Sequence, residues 1–148
     1  MLAALFFFQA LSPPASVQAG AATTQTPAAA MDYLVHTLPN VKTFDAWEGG
    51  WGEAPLDRAK FDDDPCHLTT GAPFAKLYYD NGEQHDAPLR QSWHVDFSNI
   101  VSVGQNGIRA GYKVSNDPKL VMGFVAPDAE TARRIAVALE TMRLYCAD

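Results

Sequence analysis

The sequence predicts an α+β domain: an antiparallel β-meander or small bent barrel, capped by a C-terminal amphipathic helix and preceded by a short N-terminal helix. Three observations carry this. Short β-type runs recur from Cys66 to Ala126, separated by Asn-Gly and Asn-Asp-Pro turn signals. An apolar stripe at helical spacing follows, ending at Cys146. The chain is 148 residues long and 47% hydrophobic, a one-domain length with enough apolar content for a core.

The first stretch, "MLAALFFFQALSPPASVQAG", reads as a secretory signal peptide, residues 1–19. Leu2 to Leu11 is apolar apart from Gln9, Pro13 and Pro14 end the run, and Val17-Gln18-Ala19 offers a cleavage site. The run is far shorter than the roughly 20 residues a membrane span needs. No basic residue precedes it, and no cysteine follows it to carry a lipid anchor. Residues 20–25 form an Ala/Thr-rich flexible leader, and residues 26–148 the single domain.

The domain opens with a helix. Thr26 suits the N-cap and Pro27 the first helical position. Met31, Leu34, Val35 and Leu38 make its apolar stripe, and Pro39 stops it. His36 falls off the stripe, four residues after Asp32, as expected on a solvated face where the two can pair. Residues 42–64 lack a clear period. Gly49, Gly50, Gly52 and Pro55 mark irregular chain there, and seven acids against three bases make it an acidic loop. Trp47 and Trp51 sit in that loop as an aromatic platform for a ligand such as a sugar, or as a lid folded onto the core.

The β region follows. "CHLTT" and "PFAKLYY" are strands, the latter ending in an Asp80-Asn81-Gly82 turn. "RQSWHVDFS" alternates: Trp93, Val95 and Phe97 face the core, and Ser92, His94, Asp96 and Ser98 face away. "NIVSVG", "IRAGYKVS" and "KLVMGFVA" complete the set, with turns at Asn106-Gly107 and Asn116-Asp117-Pro118. Gly111 and Gly123, inside strands, signal bulges or close backbone approach. In the closing helix Pro127 suits the first turn, and Asp128 and Glu130 suit its positive end. Ala132, Ile135, Ala136, Leu139, Met142 and Cys146 form its inward face. The chain has two cysteines and an export signal, so a Cys66–Cys146 disulfide is the economical reading.

This order of elements, from Cys66 to Cys146, resembles the pleckstrin-homology-like barrel, in which a terminal helix caps one open end of a bent sheet. "CHL", "WHVDFSNI" and "ARRIAVALETMRLYC" resemble pieces of small exported bacterial proteins of that shape whose function is unknown. The resemblance implies a fold rather than an activity. Familiar members of that superfold bind phosphoinositides through basic residues on an early strand pair. Here that stretch supplies only Lys76, so lipid binding is not carried over.

The charge and the motifs narrow the function. A net charge of -6 disfavours nucleic acid and anionic membranes, which gain from basic partners. Ser92, His94 and Asp96 tempt a triad reading. However, alternate residues on a strand project in parallel about 6.6 Å apart, too far for a hydrogen-bonded triad. Asp62, Asp63 and Asp64, with His67 nearby, are candidate cation ligands. Three adjacent aspartates splay apart, though, and the spacing is not that of a calcium loop. The four histidines lack paired zinc spacing, and no phosphate loop or nucleophile elbow is present. The sequence therefore reads as a periplasmic or secreted, non-enzymatic binding or accessory domain of the cell envelope. It needs no cofactor, and no stable membrane insertion is expected after signal cleavage. Its partner is an envelope protein or a small ligand, met by Trp47, Trp51, His94 and Asp96. No residue is assigned a catalytic role in that reading. The alternative is a small periplasmic hydrolase or metal-dependent enzyme using His94 and Asp96 or the Asp62–Asp64 loop.

Overall fold

The computed structural model describes residues 25–47, 49–72, 76–80, 82–87, 91–116 and 120–147. The expected signal peptide lies outside these residues, as do Asn81 and the Asp117-Pro118 pair of two expected turns. The first helix, α1 (Pro27–Thr37), starts as its sequence dictates: Ala29 N–H donates to Thr26 Oγ1 at 3.1 Å. Ala30 and Leu34 are buried, and Leu38 continues the buried stripe into a 3₁₀ turn, Leu38–Asn40. His36 and Asp32 pair on the exposed face at 3.3 Å.

Ten strands follow: β1 (Lys42–Trp47), β2 (Gly50–Pro55), β3 (Arg58–Phe61), β4 (His67–Ala72), β5 (Lys76–Asp80), β6 (Glu83–Ala87), β7 (Gln91–Asp96), β8 (Ser102–Asn106), β9 (Arg109–Lys113) and β10 (Val121–Val125). Helix α2 (Ala129–Cys146) closes the chain. The pairing is antiparallel throughout. One sheet has seven strands in the order β6-β5-β2-β1-β10-β9-β8, and the other has three in the order β3-β4-β7. The fold is α+β, with antiparallel sheets, a short N-terminal helix and a long C-terminal one. Among the described residues no helix is long and apolar enough to cross a membrane.

The reading of residues 42–64 as a loop is corrected. Residues 42–61, which the sequence presents as irregular acidic chain, form three strands. The glycines that suggest a loop mark a hairpin: Trp47 pairs with Gly50, and Gly49 takes φ 90 in the two-residue connection. The usual alternation is also inverted. Polar Thr43 points inward and is buried, its hydroxyl donating to the Gly123 carbonyl at 3.3 Å. Aromatic Phe44 points outward. A strand with its polar residues inside carries no legible amphipathic pattern.

The core lies between the sheets and the two helices. All six residues expected on the inner face of α2 are buried, together with Val137 and Ala138. All of these but Val137 pack in one cluster with Leu34 and Leu38 from the N-terminal segment, Leu68 of β4, Val95 of β7, and Tyr112 and Phe124 of the large sheet. The Arg134 guanidinium sits 4.7 Å from the Tyr33 ring centroid, joining the helices at the surface. Pro127 does not occupy the first turn of α2. Asp128 is the N-cap and accepts from Thr131 N–H at 2.7 Å, which leaves the proline one residue outside.

Cys66 and Cys146 form the disulfide, with their Cα atoms 5.7 Å apart. It ties the last turn of α2 to the residue before β4. The Cys66 carbonyl also accepts from Phe97 N–H at 2.9 Å, so the same point is fastened to the end of β7.

Candidate functional site

Two surfaces on different sheets hold the side chains singled out by the sequence. The first is the outer face of the three-stranded sheet. Pairing there sets Arg58, Gly71 and Ser92 in one row and Lys60, Thr69 and His94 in the next, with His67 opposite Asp96 in a third. Opposite residues of an antiparallel pair share a face, so these groups form one polar surface. Arg58 lays its guanidinium across Gly71, where a β-carbon would collide with it, and donates to Ser92 Oγ at 3.2 Å. Thr69 Oγ1 donates to Asp62 Oδ1 at 3.1 Å and lies 3.1 Å from His94 Nδ1. A hydroxyl has one proton. With that proton directed to Asp62, Nδ1 of His94 is the donor to Thr69.

Asp96 accepts from Ser98 N–H, the Ser98 hydroxyl (2.6 Å) and Asn99 Nδ2. His67 Nε2 stands 3.5 Å from its other side. The Ser98 hydroxyl, above all, holds the Asp96 carboxyl below its ordinary value, with help from the Ser98 amide and His67. Ser92, His94 and Asp96 therefore each serve a different neighbour: Arg58, Thr69, and the Ser98–Asn99 turn. They do not meet as a triad.

The three aspartates sit at the turn from β3 to β4. Asp62 holds Thr69, Asp64 Oδ1 accepts from Cys66 N–H at 2.9 Å, and Asp63 is exposed. They shape the turn and point in different directions. Among the described residues no three His, Cys, Asp or Glu side chains stand close enough together to hold a metal ion.

The second surface is the outer face of the seven-stranded sheet. Phe44 on β1 is paired with Gly123 on β10, Gly123 with Gly111 on β9, and Gly111 with Gly104 on β8. Three glycines thus run side by side across three strands, a row about 10 Å long. Gly123 is buried, while Gly104 and Gly111 bring backbone to the lining of a trough of about 460 Å³ together with Phe44, Ala46 and Val121. Arg109 and Lys113 lie on β9, two residues either side of Gly111, and therefore on the same face. Arg109 is opposite Asn106, and Lys113 is opposite Ser102. The Arg109 guanidinium is 5.6 Å from the Phe44 ring centroid and 3.9 Å from Glu53 Oε1. Trp51, on β2 opposite Ala46, extends the aromatic surface and is 37% exposed.

The expected grouping of Trp47 and Trp51 with an acidic loop is therefore divided. Trp51 lies on the face of the seven-stranded sheet that carries the trough without lining it, while Asp62, Asp63 and Asp64 lie at the three-stranded sheet. Trp47 lies in β1, and its side chain is outside the described residues. His94 and Asp96 share the polar face as expected. Sequence reading missed Phe44, Arg109, Lys113 and Gly104. Gly111 and Gly123 were the available signal, as strand glycines that point to close backbone approach. No protein-family model matches the chain, and neither a curated protein nor a solved structure matches it.

Proposed function

We propose that the protein is a small exported, non-enzymatic binding domain whose ligand surface is the glycine-floored trough. One observation carries this reading. A sheet face that served only as surface would be covered by side chains, whereas here Gly104 and Gly111, opposite one another on β8 and β9, bring backbone to the lining of the trough beside an outward-facing Phe44. Bare backbone beside an aromatic ring lets a ligand approach closely and be held by both peptide groups and ring. The groups on the other face are largely occupied with one another, as expected of a surface that stabilises its own sheet. An exported domain with a disulfide fits the periplasm or the extracellular space, where such bonds persist.

The test is native mass spectrometry of the exported protein beside its Gly111→Val variant, which fills the trough. The expected result is a bound small molecule on the wild type that is lost from a variant with an unchanged circular dichroism spectrum. An adduct of equal occupancy on both proteins, or on neither, overturns the reading.

A further inference from the structure

The trough differs in charge from the molecule that carries it. The chain has a net charge of -6, yet among the described residues the charged side chains lining the trough are Arg109 and Lys113, both cations. Glu53 approaches Arg109 at 3.9 Å from the far side of Phe44, and the Arg109 side chain is 58% exposed. Each lip pairs one cation with one neutral hydrogen-bonding side chain: Arg109 with Asn106, and Lys113 with Ser102. Three residues of strand lie between the two cations, a span of about 13 Å along the strand.

A cationic trough on an acidic protein selects an anion against the general field. An apolar acid would require an enclosed pocket that removes most of its surface from water. This groove is open, floored by peptide groups and edged by amide and hydroxyl side chains. It suits a ligand that stays partly hydrated, with a flat ring face for Phe44 and several hydroxyls for the lips. We infer that the trough binds an anionic oligosaccharide, with sugar rings lying over Gly104 and Gly111 and acidic groups reaching Arg109 and Lys113. This rests on the trough being the ligand surface.

The experiment is amide NMR titration of the full chain with three probes: trigalacturonate, a chondroitin sulfate tetrasaccharide and neutral maltotriose. At least one anionic probe is expected to shift the Gly104 and Gly111 amides with at least tenfold higher affinity than maltotriose. Adding salt should weaken that affinity. The double variant Arg109→Gln/Lys113→Gln changes one exposed and one half-buried side chain of an outer sheet face and should fold normally, as its amide spectrum will show. It should bind the anionic probe no better than maltotriose. If maltotriose binds the trough as well as either acid does, the charge selection is wrong while the trough remains a binding surface. If all three probes leave the glycine amides unmoved, or shift only residues around Arg58 and Lys60, the anionic-oligosaccharide assignment falls. Loss of the Gly111-sensitive adduct is then what decides the broader reading.

Discussion

Gly123 and Gly111 are neighbours in one row, but space constrains them differently. A β-carbon on Gly123 would run into the Ala110 carbonyl oxygen and lie 2.8 Å from Gly111 Cα, both of them backbone. On Gly111 the nearest atom is a Val121 methyl at 3.3 Å, which can yield. Gly123→Ala should therefore cost about 1–3 kcal/mol, as overpacking does, and Gly111→Ala no more than about 0.5 kcal/mol. Urea denaturation of the two variants measures this contrast, and equal losses would refute it. Close approach was legible in the sequence at both positions. The row was not, because Gly104 joins it only through strand register. Asp96 makes a prediction in pH. Its folded carboxyl titrates below the ordinary 3.8, so the unfolded chain takes up the proton first on acidification. The stabilisation is complete above that ordinary value and disappears as pH falls through the lower folded one. Melting temperatures between about pH 2 and pH 6 should show a steeper acid decline for the wild type than for Asp96→Asn. Parallel curves would contradict the assignment.

At the scale of elements, legibility followed amphipathicity. Helix α2 and strand β7 have one apolar and one polar face, and each lies where its pattern says it must. Strands β1 and β2 reverse the rule. Thr43 and Asp45 share the inward face of β1, small Gly52 and Ala54 line that of β2, and Phe44 and Trp51 look outward. Their sequence therefore reads as irregular, although the same inversion places the Phe44 ring at the candidate site. Helix α1 depends on its cap. Thr26→Ala removes the acceptor for Ala29 N–H and should cost about 1 kcal/mol. Amide hydrogen exchange should quicken in the first turn of α1 and stay unchanged in α2. An unaltered α1 would show that packing of Leu34 and Leu38 alone sets where the helix begins.

Over the whole molecule, the fold class and the disulfide were legible because each follows from a small number of residues: the turn signals, one helical stripe and two cysteines. The order of strands was not, since β1 and β2 lie between β5 and β10 and only non-local pairing puts them there. The disulfide closes a loop spanning 80 residues, from the mouth of the small sheet to the end of the chain. Restricting the unfolded chain this way is worth about 4.5 kcal/mol in the chain-entropy account. Cys146→Ser should lower the urea midpoint by that equivalent, and added reductant should bring the wild type to the same midpoint. A variant as stable as the oxidised protein would remove the bond from any structural role. The bond also decides what a protease can achieve. Each connection from β4 to α2 lies inside the covalent ring that the two sulfurs close. A single cut in any of them yields no separate fragment: both pieces stay joined at sulfur, and the severed ends remain beside the partners they need to re-pair.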